Sequence, residues 1–182
     1  MKKLVLLGVG STYFTKGIVE SLIRNGGEFD LRLVDIDAHC LDIAVRLAKL
    51  LVNESKAPVK VSGSLNREEM LPEADIVTST IGVGGRRAWE KDVAIFRQFN
   101  INQTTGDTYG AGGVSRALRQ VPVMVNVAKD MEKLCPDTLL INFSNPLTVN
   151  CRAICKTTKI RTIGLCTGVK WWHHHLSQLI GL

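Results

Sequence analysis

The sequence predicts an α/β fold, in which a doubly wound, mostly parallel sheet carries helices on both faces. Short apolar runs rich in β-branched residues recur along the chain, and segments with helical periodicity separate them. Strands and helices that alternate in this way form parallel sheets through right-handed crossovers. A length of 182 residues is enough for one domain with a sizeable core.

The elements follow from these runs in chain order. We expect six strands, at about residues 3–9, 31–35, 59–61, 75–81, 138–143 and 161–165. Helices are expected between them, at about residues 13–25, 38–54, 66–69, 89–99, 114–134 and 147–156. The helix at 114–134 contains Pro122, where we expect a kink or a restart. Residues 100–113 are polar and glycine-rich, which predicts a long functional loop.

The turn after the first strand is the most specific local pattern. Gly8 permits a tight turn, and Gly10 lets a pyrophosphate approach the free N–H groups at a helix N-terminus, beside Ser11. Asp35 ends the second strand, where a carboxylate accepts ribose hydroxyls and repels a 2′-phosphate. The pattern predicts a Rossmann-type NAD-binding domain over residues 1–182, with NAD favoured over NADP. The alternative is a nucleotide-free α/β sheet whose first turn needs glycine.

Three further features fall at the carboxyl ends of later strands. Gly82 opens a glycine-rich turn, Asn145 precedes Pro146, and Cys166 follows the last strand. Because ligands bind at this edge of such sheets, we expect Gly82 and Asn145 to contact the cofactor. Taken singly, each residue has a structural alternative, as a turn residue or as a buried thiol.

Composition excludes several classes of function. The net charge is +6, but the basic residues are dispersed, which argues against a nucleic-acid partner and for a mildly basic cleft that binds anions. Five cysteines with no CxxC pair argue against a disulfide framework, and Cys151 and Cys155 fit small buried residues. No segment approaches the length of a membrane span. We therefore expect a cytoplasmic protein.

These residues together resemble the N-terminal half of glycoside hydrolase family 4, over nearly all of the chain. The Gly-Asp-Thr-x-Gly-x-Gly-Gly loop followed by Arg-Ala-Leu-Arg is the most specific part of the resemblance. The segments that carry it are Gly8–Ser11 with Phe14-Thr15, Asp35–Asp37, Gly106–Gly113, Arg116–Pro122, Asn145–Val149 and Gly164–Cys166.

The resemblance implies hydrolysis of a small-molecule glycoside with NAD and a divalent metal, usually manganese. In the family's redox route, NAD takes a hydride from C3 of the sugar, a base removes the C2 proton, and the leaving group departs by elimination. Water then adds, and the reduced cofactor returns the hydride. The implied metal ligand is Cys166, and the implied catalytic residues are Asn145 and Asp107, with Arg116 beside the same loop. The loop resembles the branch that acts on α-galacturonides, α-glucuronides and α-galactosides.

The resemblance also implies a C-terminal catalytic and oligomerisation domain that this chain does not contain. A second metal ligand, the proton-abstracting residue and assembly into a homo-oligomer belong to that part of the family. We therefore expect an apolar patch near Leu147, Trp171 and Trp172. Consecutive histidines at 173–175 form a poor chelate and are expected to be solvated or to face a partner.

Two other functions stay open at this point. One is a non-catalytic dinucleotide-binding protein, and the other is an NAD-dependent dehydrogenase of the lactate/malate type. Arg86 and Arg87 likewise allow two interpretations, as a clamp for a substrate carboxylate or as a solvated pair in a loop.

Overall fold

The computed structural model describes residues 1–102 and 107–181, and Gly106 of the predicted loop motif lies outside them. In the described part, six strands form one parallel sheet in the order β3-β2-β1-β4-β5-β6. This confirms the predicted doubly wound α/β fold and makes the sheet fully parallel. The strands are β1 Lys2–Leu7, β2 Phe29–Val34, β3 Val59–Ser64, β4 Ile76–Ser79, β5 Leu139–Asn142 and β6 Arg161–Gly164.

Helices connect the strands. They are α1 Thr12–Asn25, α2 Ala38–Ser55, α3 Arg67–Met70, α4 Gly85–Arg97, α5 Gly110–Leu134, α6 Leu147–Thr157 and α7 Thr167–Leu179. The short helix α3 begins where the sequence predicted, because the Asn66 side chain accepts a hydrogen bond from the Glu68 N–H at 3.0 Å. No helix among the described residues has both the length and the apolar character that a membrane span requires.

Two hydrophobic clusters occupy the two faces of the sheet. Alternation along β1 sends Leu4 and Leu6 into one cluster and Val5 and Leu7 into the other. The first cluster includes residues of α1 and α2, and the second includes residues of α5 and α6. Burial on both faces explains why the strands read as continuous apolar runs.

The connections of β1 position the site. β1 pairs with β2 on one side and with β4 on the other, so the strand order reverses between β1 and β4. In a doubly wound sheet, the crevice at the carboxyl end of this reversal is where ligands bind. The turns that follow β1, β2 and β4 all open there.

Two helices begin earlier than the sequence indicated, and the first of them is α4, which begins at Gly85 rather than at about residue 89. We expected a loop up to residue 113, but α5 already begins at Gly110. Gly113 is buried in its first turn, and a β-carbon there would lie 2.8 Å from the carbonyl carbon of Thr108. Gly113 is therefore required for close packing of the first turn of α5 against Thr108. α5 also continues through Pro122, which lies exposed, so water can satisfy the carbonyl group that lacks its N–H donor.

Candidate functional site

The turn after β1 has room only for glycine at position 8. Gly8 has φ of 86°, and a β-carbon there would lie 2.8 Å from the Ile81 nitrogen. The Gly8 N–H donates to the Val34 carbonyl at 2.9 Å, and the Thr80 hydroxyl donates to the Gly8 carbonyl at 2.6 Å. The turn is thus held against the ends of β2 and β4.

Gly10 and Asp35 are in direct contact. The Gly10 N–H donates to Asp35 Oδ2 at 2.8 Å, and the Asp37 N–H donates to Asp35 Oδ1 at 3.0 Å. Each carboxylate oxygen keeps a second lone pair for a further donor, such as a hydroxyl group. Ser11 caps α1, since its Oγ accepts from the Phe14 N–H at 3.5 Å. The link between Gly10 and Asp35 is not evident from the sequence.

The start of α2 adds two residues that sequence reasoning missed. Asp37 caps this helix, and hydrogen bonds from the backbone N–H groups of Cys40 and His39 lower the pKa of its carboxyl group. Partial burial, together with the negative charges of Asp37 and Asp35, raises the pKa of the Cys40 thiol. The wall of the crevice near Asp35 therefore has a protonated thiol beside two carboxylates.

A cleft of about 860 Å³ lies at this edge of the sheet. Its lining includes five residues predicted to bind the cofactor, which are Gly8, Gly10, Ser11, Asp35 and Gly82. Asn145, the sixth predicted cofactor residue, is not part of this lining. Side chains of α3 and α5, which the sequence did not indicate, form other parts of the wall.

The glycine-rich turn after β4 is held from α5. Gln120 is fully buried, and its Nε2 donates to the Ile81 carbonyl at 2.9 Å. Its Oε1 accepts from the Val83 N–H at 3.1 Å. Both ends of one side-chain amide thus bind the backbone on either side of Gly82.

Asn145 belongs to a second group, which includes Asp107 and Arg116. Asp107 Oδ2 accepts from Arg116 Nη1 at 3.1 Å and from Asn145 Nδ2 at 3.2 Å. Arg116 Nε donates to the Asn145 carbonyl at 3.1 Å. The structure therefore brings together the two residues predicted to be catalytic, with the arginine between them. Their chemical roles stay predictions.

Two buried asparagine side chains hold the backbone that precedes Asn145. Asn142 is buried, and its side chain bonds the Ser144 carbonyl and N–H, each at 3.0 Å. Asn150, which is also buried, donates from Nδ2 to the same Ser144 carbonyl at 3.1 Å. A rigid polar turn therefore presents Asn145 at the end of β5.

Asp92 and Arg119 join α4 to α5. Arg119 donates to both carboxylate oxygens of Asp92, at 3.0 and 2.8 Å, and the Ser115 hydroxyl donates to Oδ1 at 2.7 Å. Burial alone would raise the pKa of Asp92, but the hydrogen bonds from Arg119 and Ser115 outweigh it and the pKa is lowered. This pair holds α4 in place beside the cleft.

Cys166 lies apart from a complete metal centre. Its exposed thiol occupies the N-cap position of α7. Among the side chains that the structure describes, no three His, Cys, Asp or Glu residues form a group that could hold a metal ion. Cys166 is therefore a single thiol donor without a described group of ligands around it.

Several surface expectations have mixed outcomes. Arg86 and Arg87 lie exposed in α4 rather than in a loop, and Arg86 pairs with Glu90 one turn later at 2.7 Å. Cys155 is exposed and Cys151 is half-buried, so the expectation of two small buried residues on α6 is wrong for Cys155 and holds only in part for Cys151. In the expected apolar patch, Trp172 is 60% exposed, and the Trp171 side chain lies outside the described part.

Comparison with known proteins places this geometry in a family. A model described as family 4 glycosyl hydrolase matches residues 3–182. The α-galactosidase of Bacillus subtilis (strain 168) is 34% identical over 187 residues, covering 100% of this chain and 43% of that protein. The 6-phospho-β-glucosidase of Escherichia coli (strain K12) is 35% identical over 170 residues, covering 90% of this chain and 37% of that protein.

A solved structure has the same fold. The crystal structure of a 6-phospho-α-glucosidase from gut microorganisms, in complex with NAD and Mn²⁺, matches with a TM-score of 0.87 at 24% identity. The match covers 100% of this chain and 42% of that one. The chain thus spans well under half the length of the relatives that it matches. Because the family model covers nearly every residue, the chain belongs to glycosyl hydrolase family 4.

Proposed function

We propose that this chain is the NAD-binding half of a glycosidase that hydrolyses a small-molecule α-glycoside with the help of NAD and a divalent metal, manganese. One observation carries the proposal: five residues predicted to bind the cofactor line a single cleft where the strand order reverses. The 6-phospho-α-glucosidase with the same fold binds NAD and Mn²⁺, which supports both cofactors.

The cleft suits NAD in three respects. Gly10 is exposed and has no side chain, so the backbone just before α1 lies open to a ligand. The N-terminus of α1 follows directly and offers N–H groups to a pyrophosphate. The Asp35 carboxylate retains lone pairs for ribose hydroxyls and would repel a 2′-phosphate, which favours NAD over NADP.

The residues near Asn145 would act on the sugar. Bound NAD would supply a reversible hydride acceptor for C3 of the sugar. Because Asn145 Nδ2 donates to Asp107, its carboxamide oxygen is oriented to accept from a sugar or ribose hydroxyl. The Arg116 guanidinium binds Asp107 and the Asn145 backbone together, so it would keep both in one orientation.

The metal requires more than the described residues supply. Cys166 offers one thiolate, and we propose that it binds manganese together with ligands that lie outside the described part of the chain. No step of the reaction is assigned to the metal from this geometry.

The relatives support two substrate classes. We favour α-galactosides and α-uronides, because all of this chain is similar to part of the B. subtilis α-galactosidase. A 6-phospho-β-glucoside is the second candidate, supported by the similarity to the E. coli enzyme. Membership in the family favours a glycosidase over a dehydrogenase of the lactate/malate type. A cytoplasmic homo-oligomer remains our proposal for the assembled protein.

Calorimetric titration with NAD and with NADP tests the cofactor proposal. We expect NAD to bind more tightly than NADP, and Asp35→Ala to weaken NAD binding and reduce this preference. Asp42→Ala is a matched control, because it removes an exposed carboxylate on α2 that pairs only with Arg46 one turn later in the described contacts. If the unaltered chain binds no NAD, or if both variants behave alike, the proposal is wrong.

Glycoside cleavage tests the reaction itself. We expect the complete protein that contains this chain to require NAD and Mn²⁺ together for release of nitrophenol from a nitrophenyl α-galactoside, and Cys166→Ala to abolish that release. The 6-phospho-β-glucoside is tested in parallel to decide between the two substrate classes. Tight NAD binding by the complete protein without cleavage of either substrate would favour the non-catalytic alternative.

A further inference from the structure

The side chain of Gln120 has an unusual arrangement. Its amide is 0% exposed, yet it lies within α5 and bonds no residue of its own helix among the described contacts. The amide nitrogen Nε2 donates to the Ile81 carbonyl at 2.9 Å, and the amide oxygen Oε1 accepts from the Val83 N–H at 3.1 Å. These two groups flank Gly82, so the contact copies one rung of a β-ladder.

Besides the bonds from Gln120, the described bonds of the segment around Gly82 join Thr80 to Leu7 and Gly8, and join the carbonyls of Gly82 and Gly84 to N–H groups of α4. β4 ends at Ser79, and α4 begins at Gly85, so residues 80–84 lie outside the sheet and the helices. Gly82 has no β-carbon, and Gly84 has φ of 76°, a conformation that glycine adopts freely. Flexible backbone of this kind takes a single shape only when its polar groups are bound.

The same segment forms one wall of the cleft. Gly82, Val83 and Gly84 line it, as do Val123 and Val127, which follow Gln120 along the same side of α5. Spacings of three and seven residues place these two valines and Gln120 on one helical face. The helix therefore supports the turn from beneath, with the polar contact at Gln120 and apolar contact beside it.

We propose that Gln120 is a positioning residue for the dinucleotide, because it holds the peptides around Gly82 in the shape that the cofactor meets. The inference rests on the proposed binding of NAD. An apolar side chain at position 120 would leave the Ile81 carbonyl and the Val83 N–H without these partners, and the turn would sample other shapes. The cofactor would then have to order the turn as it binds, which lowers its affinity.

The test compares Gln120→Leu with Val59→Ala. Val59 is a buried residue at the start of β3, away from the cleft lining, so its truncation lowers stability without touching the turn. NAD dissociation constants are measured by calorimetry at a temperature where circular dichroism shows both variants to be folded. Hydrogen exchange of the Val83 amide is measured by NMR on the same samples.

We expect Gln120→Leu to raise the dissociation constant of NAD by about tenfold or more and to speed exchange at Val83, since a net hydrogen bond is worth roughly one such factor. Val59→Ala should bind NAD within about twofold of the unaltered chain. If Gln120→Leu does not fold, Gln120→Glu replaces it, because its carboxylate keeps the acceptor for Val83 and loses the donor for Ile81.

Two results would overturn the inference. Unchanged NAD affinity in the Gln120 variant, with normal binding by the unaltered chain, would show that the turn does not depend on this contact. Absence of NAD binding by the unaltered chain would instead overturn the proposed function, and the inference with it. The titration of the unaltered chain distinguishes these outcomes.

Discussion

Replacement of Gly8 by alanine is the most severe small change that the cleft allows. At φ of 86°, a side chain strains the backbone, and this strain costs roughly 1–2 kcal/mol. The new methyl group would also lie 2.8 Å from the Ile81 nitrogen, 2.9 Å from the Ile81 α-carbon and 3.0 Å from the Thr80 carbonyl carbon. All three are backbone atoms of the neighbouring chain segment, so no side-chain rotation can relieve the overlap.

The expected loss of stability follows from these two effects. Overpacking of a tight interior site costs about 1–3 kcal/mol, which with the backbone strain gives a loss of about 2–5 kcal/mol. Domains of this kind are stable by only about 5–15 kcal/mol, so the variant loses a large share of its stability. Since Gly8 joins β1 to the cleft, NAD binding should weaken as well.

Gly17→Ala is the matched control. Gly17 lies inside α1, and a β-carbon there meets no atom within 4 Å. Alanine in an exposed helix interior is favoured over glycine by about 0.8 kcal/mol, so this variant should be more stable than the unaltered chain. Urea unfolding followed by circular dichroism gives both free energies. If Gly8→Ala lies within about 0.5 kcal/mol of the unaltered chain, our account of the turn is wrong.

Three further predictions concern the cleft, the α4–α5 pair and the cysteines. Gly10→Ala should lower the free energy of urea unfolding by less than about 1 kcal/mol, because the new β-carbon makes only ordinary contacts, the nearest at 3.4 Å. The same variant should weaken NAD binding in calorimetry, because this β-carbon projects from an exposed backbone site. Asp92→Asn should cost about 2–3 kcal/mol at pH 7, since Arg119 loses its charged partner. Folding lowers the pKa of the Asp92 carboxyl group, so the stabilisation that its ion pair adds is fully present above the ordinary aspartate pKa of about 4. This stabilisation disappears as the pH falls through the lower pKa of the folded state. The free energies of urea unfolding of the variant and of the unaltered chain should therefore converge in acid. Iodoacetamide should modify the exposed Cys166 and leave Cys135 unmodified, because burial covers the Cys135 thiol and raises its pKa to about 11. Peptide mass spectrometry after labelling at pH 8 checks this, and labelling of Cys135 before Cys166 would contradict it.

The succession of strands and helices along the chain and the first turn could be predicted because each depends on local sequence. Apolar runs buried on both faces indicate parallel strands whatever their partners are. Gly8 is required by its own backbone conformation and by the neighbouring strand end, so the motif identifies it directly. Asp35 is similarly fixed by its place at the end of β2.

The starts of two helices were not predictable in this way. Glycines at 110–113 indicated a loop, but they form the first turn of α5, where the Gly113 N–H donates to the Tyr109 carbonyl at 3.2 Å. Arg86 and Arg87 belong to a helix for a related reason, since α4 begins directly at Gly85 and extends over them. Local propensity is a weak guide when a segment is held by packing against the rest of the molecule.

The helix α5 shows why Gln120 escaped sequence reasoning and why only the family resemblance pointed to Arg116. Arg116, Gln120, Val123 and Val127 follow one another at spacings of four, three and four residues, which is the pattern of a single buried face. Helical periodicity identifies a buried face by its apolar residues, so an arginine or a glutamine at such a position does not fit the apolar pattern. In the folded chain, Gln120 bonds the backbone of Ile81 and Val83 in the turn after β4, and Arg116 bonds the Asn145 carbonyl in the turn after β5. A polar residue within an otherwise apolar helical face is therefore a useful signal for a supported loop, because burial without a partner would cost about 1–3 kcal/mol.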